Sequence, residues 1–207
     1  MKDLLGTEGL RVLAQFAARA PLCLFDFDGT LAPLASDPTQ VMLPTALQQK
    51  LRQLQQRVPV GIVTGRSLQD MRGRLEFAPD YLVGNHGLEG VPGEAADHQT
   101  LAAVCRQWRD WLAERVAAID PGIWLEDKGV SLSLHYLNSR DQEQARAGLD
   151  ALFGRLQPAA RVIPGKCIFS LLPQGGGDKG RAVRQLMRFT GNEAALYVGD
   201  DITDEDV

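Results

Sequence analysis

The sequence predicts an α/β protein: a Rossmann-like core with a parallel sheet, interrupted by an inserted α+β segment. Three observations carry this expectation. Short apolar runs at 22–25, 58–63, 81–83 and 195–198 each end in glycine or polar residues, the pattern of buried strands. Segments with apolar residues at helical spacing lie between them, and such alternation favours a parallel sheet. Between residues 90 and 174 the texture changes to a turn-rich stretch, a long amphipathic helix and a strictly alternating strand, as in antiparallel sheets with one solvated face.

Taken in order, the N-terminal segment MKDLLGTEGLRVLAQF lacks a continuous apolar core and reads as a short amphipathic helix, not a signal peptide. Leu22, Cys23, Leu24 and Phe25 form the first strand, closed by Gly29 and Thr30. Leu47, Leu51 and Leu54 mark a helix, and Val58 to Val63 is a second strand ended by Thr64, Gly65 and Arg66, which completes a βαβ unit. A helix over 67–75 then leads to a short strand, Tyr81 to Val83, broken by Gly84, Asn85, His86 and Gly87.

The insert opens with the polar turn VPGEAADHQT, which leaves His98 in a loop. Leu101, Val104, Trp108, Leu112 and Val116 mark its long helix, with Trp108 and Trp111 read as core. Val130, Leu132, Leu134 and Tyr136 alternate with Ser131, Ser133 and His135, so that strand is half-buried. A helix over 142–156 and strands at 161–163 and 166–172 follow, and the glycine run after Gln174 reads as a hinge. Helical spacing returns through Val183, Leu186 and Met187, and Ala195 to Val198 is the last strand. The expected organisation is core 1–89, insert 90–174 and core 175–207, without an internal repeat.

Composition narrows the function. A chain of 207 residues can bury a substantial core. Its net charge of −4 and pI near 5.4 lack the basic excess of nucleic-acid or membrane-surface binders. No apolar stretch is long enough to span a bilayer. Cys23, Cys105 and Cys167 are odd in number, widely spaced and set in apolar stretches, so they read as buried reduced thiols in a cytoplasmic protein.

Polar residues gather at four strand or helix ends: Asp26-Phe27-Asp28-Gly29-Thr30, Thr64-Gly65-Arg66, Gly177-Asp178-Lys179-Gly180 and the acids from Asp200 to Asp206. Open α/β sheets bind their ligands at the carboxyl ends of strands. Strand alternation would turn Asp26 and Asp28 the same way, able to share one cation or one phosphoryl group. Magnesium wants oxygen ligands, and Asp26, the backbone carbonyl of Asp28 and Asp200 could supply them, with Lys179 adding a second positive charge. Taken singly, each has a plainer reading. Thr64 or Ser67 could cap a helix, Lys179 could be a solvated lysine, and the acids at 200–206 could serve a helix dipole.

The order and wording of the four motifs resemble the haloacid dehalogenase-type phosphatases. By that resemblance Asp26 is the nucleophile that forms an aspartyl-phosphate, while Asp28 protonates the leaving alkoxide and then activates water. Thr64 and Lys179 hold phosphoryl oxygens, with Gly29, Thr30, Gly65 and Arg66 beside them. Asp200 ligates magnesium, and Asp201 and Asp204 ligate it or support its ligands.

Within that superfamily, GNHGLEG, WLEDKGVSLSLHY, Gly165-Lys166 and YVGDDITDEDV are similar to the trehalose-6-phosphate phosphatases. The insert then corresponds to a cap domain that selects the substrate, a small sugar phosphate, with Asn85, His86, Glu89, Glu126, Lys128 and His135 facing its hydroxyls. Three departures stand out. The family's last cap strand usually carries an acid and a base where this chain has Ser170 and Leu172, and Leu137 replaces the usual arginine. The family also continues with another βα unit where this sequence stops at Val207. These departures keep open a phosphatase for a different sugar or sugar-acid phosphate, and beside it a non-catalytic sugar-phosphate sensor.

Overall fold

A computed structural model describes residues 3–35, 38–93 and 97–207. The chain forms two compact units, one made of residues 1–93 and 178–207, the other of residues 94–177. The first begins with α1 (Thr7–Ala17), β1 (Leu22–Phe25), α2 (Thr45–Gln55), β2 (Val60–Val63), α3 (Leu68–Arg72) and β3 (Tyr81–Val83). The second unit comprises α4 (His98–Ile119), β4 (Trp124–Asp127), β5 (Leu132–His135), α5 (Gln142–Phe153), β6 (Ala160–Gly165) and β7 (Ile168–Pro173). The chain then returns to the first unit through α6 (Lys179–Thr190) and β8 (Ala195–Val198).

The first unit is built on a parallel sheet in the order β3-β2-β1-β8. Its central strands carry apolar residues on both faces because each face meets its own core. Val60 and Ile62 pack with Phe27, Leu31, Leu51 and Met71 on one side. Leu22, Leu24, Val63 and Val83 pack with Ala182, Val183 and Leu186 on the other. A parallel sheet covered on both faces yields the continuous apolar runs read in the sequence. Because the strands run the same way, their carboxyl ends lie along one edge.

The second unit is an antiparallel sheet in the order β4-β5-β7-β6. Leu132, Leu134, Phe169 and Leu171 face Trp108, Leu112 and Val116 of α4 and Ala145, Leu149 and Phe153 of α5 in one core. Trp108 is core as expected, and its indole N–H donates to the Pro158 carbonyl at 2.9 Å.

Several elements differ from the sequence reading. The helix expected over 67–75 closes after five residues, Leu68–Arg72, capped by the Ser67 hydroxyl and followed by Gly73. His98 opens α4 instead of lying in a loop, because Asp97 caps the helix by accepting the Thr100 N–H at 3.1 Å; the neighbouring residues 94–96 of that turn lie outside the described residues. The alternating strand shortens to β5 and is not half-buried: Ser131 and Ser133 are as buried as Val130 and Tyr136, so both faces are covered. Cys23 and Cys105 are buried free thiols, whereas Cys167 is only half-buried, at φ 57 in the turn between β6 and β7. Among the described residues no helix is long and apolar enough to cross a membrane.

Leu134 is fully buried in the second unit's core. Leu134→Ala should therefore destabilise the protein by about 2–5 kcal/mol, read as a lower urea midpoint at unchanged slope.

Candidate active site

The edge where the parallel strands end assembles the predicted residues in a definite order. β1 pairs with β8 through Phe25 and Val198, and the Asp26 N–H donates to the Val198 carbonyl at 2.9 Å. Asp26 is thereby set beside the loop that carries Asp200 and Asp204. Carboxylate oxygens of Asp26, Asp200 and Asp204 lie within 4.8 Å of one another. Lys179, the first residue of α6 and only 4% exposed, places its ammonium 2.9 Å from Asp26 and 2.7 Å from Asp204. Burial pushes the Asp26 carboxyl up to about 6 against the opposing pull of Lys179. Burial alone would lower the Lys179 ammonium, but the two carboxylates outweigh it and raise the group.

Asp204 has no acceptor position to spare. One oxygen accepts from Lys179 at 2.7 Å and from the Tyr197 hydroxyl at 2.5 Å, while the other accepts the N–H groups of Asp200 at 3.1 Å and Asp201 at 3.0 Å. Four donors occupy the four lone-pair directions of a carboxylate. Asp204 thus shapes the loop around Asp200, and Asp201 enters through its backbone. Asp200 is exposed and accepts from the Thr30 hydroxyl at 2.9 Å. Gly29 makes this approach possible: at φ +84, a Cβ there would come within 1.9 Å of the Asp200 carboxylate.

Asp28 departs from expectation. The strand stops at Phe25, so the two-residue alternation does not carry through to Asp28, and its carboxylate stands outside the three-acid cluster. Instead it forms a two-point pair with Arg66, both contacts at 2.7 Å. The Arg66 guanidinium also lies 5.5 Å over the Phe27 ring and donates to Asp70 at 2.9 Å. Arg66 is therefore engaged by two carboxylates in this structure. Thr64 is fully buried at the end of β2, and its hydroxyl accepts the Arg66 N–H at 3.2 Å, a local turn contact, while Ser67 caps α3.

After β3, Asn85 and His86 turn the chain at φ 49 and 55, and both are buried. Gly65 lets the His86 ring close in, since a Cβ there would meet it at 2.6 Å. The Glu89 carboxylate accepts the Leu68 N–H at 2.8 Å, satisfying an otherwise orphaned donor at the start of α3.

On the second unit's sheet, Glu126, Lys128 and His135 come together. Glu126 hydrogen-bonds His135 at 2.9 Å and lies 3.8 Å from the Lys128 ammonium. The Trp124 ring stacks on His135 with centroids 4.5 Å apart. Ser170 lies opposite Ser133 in the register, their hydroxyl oxygens 3.4 Å apart. Sequence reasoning missed Tyr197, Asp70 and Arg74. Tyr197 offered no signal beyond its place in a buried strand, but Arg66, Asp70 and Arg74 are spaced four apart with alternating charge, a readable helix-face pattern.

A parallel sheet that delivers an aspartate from its first strand to a buried lysine and to a second acid loop defines the haloacid dehalogenase class. Within it, the chain belongs to the trehalose-phosphatase family, whose model matches residues 24–207. It is 32% identical over 197 residues to a trehalose-phosphate phosphatase of Mycobacterium marinum, an overlap of 90% of this chain and 50% of that protein. The chain thus spans about half the length of the curated relatives it matches. Its fold is shared with a solved trehalose-6-phosphate phosphatase related protein, at TM-score 0.74 and 24% identity over 89% of this chain and 80% of that one. The C-terminal domain of the C. albicans trehalose-6-phosphate phosphatase superposes at TM-score 0.70 and 21% identity, covering 95% and 76% of the two chains.

Gly29→Ala should remove the approach of Asp200 and strain the backbone, lowering stability by about 1–3 kcal/mol. Thermal unfolding checks this, and Gly93→Ala, also at positive φ but with nothing within 4 Å of its Cβ, should cost less.

Proposed function

We propose that the protein is a magnesium-dependent phosphatase that hydrolyses trehalose-6-phosphate to trehalose and phosphate through an aspartyl-phosphate. The observation that carries this reading is the buried Asp26 held by the Lys179 ammonium at 2.9 Å beside Asp200. Lys179 orients the Asp26 carboxylate and offsets the repulsion that a phosphate dianion would otherwise meet. An oxygen of Asp26 forms a bond to phosphorus as the bond from phosphorus to the sugar oxygen breaks. Asp28, which Arg66 holds as a carboxylate here, would first take up a proton from solvent as substrate displaces one of those contacts, give it to the departing alkoxide, and then take one from a water that attacks the phosphoryl group and frees Asp26.

The donor set suits a hard cation, since carboxylates of Asp26 and Asp200 offer oxygens within 4.8 Å of each other. Those two, with the Asp28 carbonyl, would hold magnesium, which when bound neutralises charge on the phosphoryl oxygens. Asp204, saturated by four donors, keeps Asp200 in position. Thr64 and Lys179 would contact phosphoryl oxygens.

Residues 94–177 form the cap in this reading, and Glu126, Lys128 and His135 are its candidates for the sugar hydroxyls. The reduced thiols of Cys23 and Cys105 fit a cytoplasmic enzyme. One observation favours a second substrate. Ser170, whose hydroxyl lies 3.4 Å from that of Ser133, and Leu172 stand where the family has an acid and a base, so a sugar phosphate other than trehalose-6-phosphate is the alternative. A site without the matching polar group loses discrimination between related sugars.

Asp26→Asn should cut phosphate release at least about a thousandfold while the circular dichroism spectrum is unchanged. Chelation should abolish turnover and added magnesium restore it. A panel of sugar phosphates ranks the substrates by kcat/KM, and a sugar phosphate faster than trehalose-6-phosphate selects the alternative.

A further inference from the structure

We propose that Asp70 and Arg74 are positioning residues that aim the Asp28 carboxylate, a role that rests on the reading of Asp28 as proton carrier. The two lie at the end of an unbroken chain of charge-assisted contacts confined to the first unit. Asp28 is gripped at two points by Arg66. The remaining arm of the Arg66 fork donates to Asp70 at 2.9 Å. Asp70 in turn is gripped at two points by Arg74, at 2.8 and 2.6 Å. Arg74 is 6% exposed and donates further to the carbonyls of Thr39 at 3.0 Å and Val41 at 2.5 Å, so the far end of the chain is fixed to backbone.

Geometry separates this from ordinary helix stabilisation. Pairs spaced four apart add a few tenths of a kcal/mol to long exposed helices, but α3 is only five residues long and Arg66 lies outside it. Nor does burying an ion pair generally add stability, because desolvation offsets the attraction. What the arrangement does provide is direction. A guanidinium is planar, and once two of its edges are held by fixed carboxylates its plane is set. Asp70 occupies one edge of Arg66, Phe27 lies under its face, and the edge that remains dictates where the Asp28 oxygens sit. Without Asp70, Arg66 keeps the Phe27 ring beneath its face but loses the carboxylate that fixes the rotation of its fork within that plane. Side chains that hold a catalytic group within a fraction of an ångström govern its efficiency as strongly as its identity does.

A proton donor matters only when the leaving group needs the proton. Expulsion of a sugar alkoxide requires it, whereas p-nitrophenolate departs without help. The experiment therefore measures kcat/KM for the sugar 6-phosphate turned over fastest and for p-nitrophenyl phosphate, in the wild type, Asp28→Asn, Asp70→Asn and Arg74→Lys. Asp70→Asn is nearly isosteric, and Arg74→Lys keeps the charge while losing the two-point grip; melting temperatures accompany both. The expected result is a loss of about tenfold or more on the sugar phosphate for Asp70→Asn, with less than about threefold on the aryl phosphate, and the same selectivity, smaller, for Arg74→Lys. Equal losses on both substrates, or no loss, in a folded Asp70→Asn while Asp28→Asn remains selective would overturn the positioning role and leave the proton-carrier reading intact. An Asp28→Asn that loses both substrates equally would overturn that reading, and the positioning role falls with it.

Discussion

The first unit depends on one buried ammonium. Carboxylate oxygens of Asp26, Asp200 and Asp204 approach within 4.8 Å, and at an effective dielectric of about 20 each such pair of like charges repels by roughly 3 kcal/mol. Lys179, 2.9 Å from one acid and 2.7 Å from another, turns that repulsion into a stable arrangement. Its position is not free. Lys179 is the first residue of α6, whose N-terminus is capped by Asp178, and the helix is held by Ala182, Val183 and Leu186 against Leu22, Leu24 and Val83. The apolar face that packs α6 on the sheet thus decides where the positive charge stands, and the pairing of β1 with β8 decides where the negative charges meet it.

How far this was legible in the sequence follows from the physics of each part. Strands covered on both faces write themselves as apolar runs, so Leu22 to Phe25 and Ala195 to Val198 were evident. The residues just past a strand were not, because they obey turn geometry: Asp28 cannot be aimed by counting in twos once Phe25 has ended the ladder and Gly29 has taken φ +84. Polar residues near the site have a second duty that spacing does not reveal. A chain that bends sharply leaves backbone N–H groups without partners, and Glu89, Ser67 and Asp204 answer those groups at Leu68, Asp70, Asp200 and Asp201. From sequence alone a carboxylate that serves the backbone looks the same as one that awaits a ligand.

The charged chain from Asp28 to Arg74 illustrates the opposite error, a pattern present and overlooked. Its members alternate in sign, so each charge is flanked by its opposite. Burial alone would raise the Asp70 carboxyl, yet hydrogen bonds from Arg74 and Arg66 hold it below the ordinary range. A group so held stays ionised through mild acid, and the contribution it makes to stability is present above its unfolded value and lost only as pH falls through the lower folded one. Its contact with Arg66 therefore persists through mild acid.

The second unit's sheet keeps its two faces distinct. One face of its sheet, through Leu132, Leu134, Phe169 and Leu171, is committed to the helices. The other carries Glu126, His135, Ser133 and Ser170, joined by register across three strands. Substitution on that second face leaves the first face's packing untouched, since successive side chains in a strand point oppositely. It also leaves Lys179 and its acids untouched, because they are fixed by a different core. Ser170 in place of a charged group is therefore an inexpensive change for the fold, because its hydroxyl and that of Ser133, 3.4 Å apart, can satisfy each other. Residues on that face can therefore change while Lys179 and its acids keep their places.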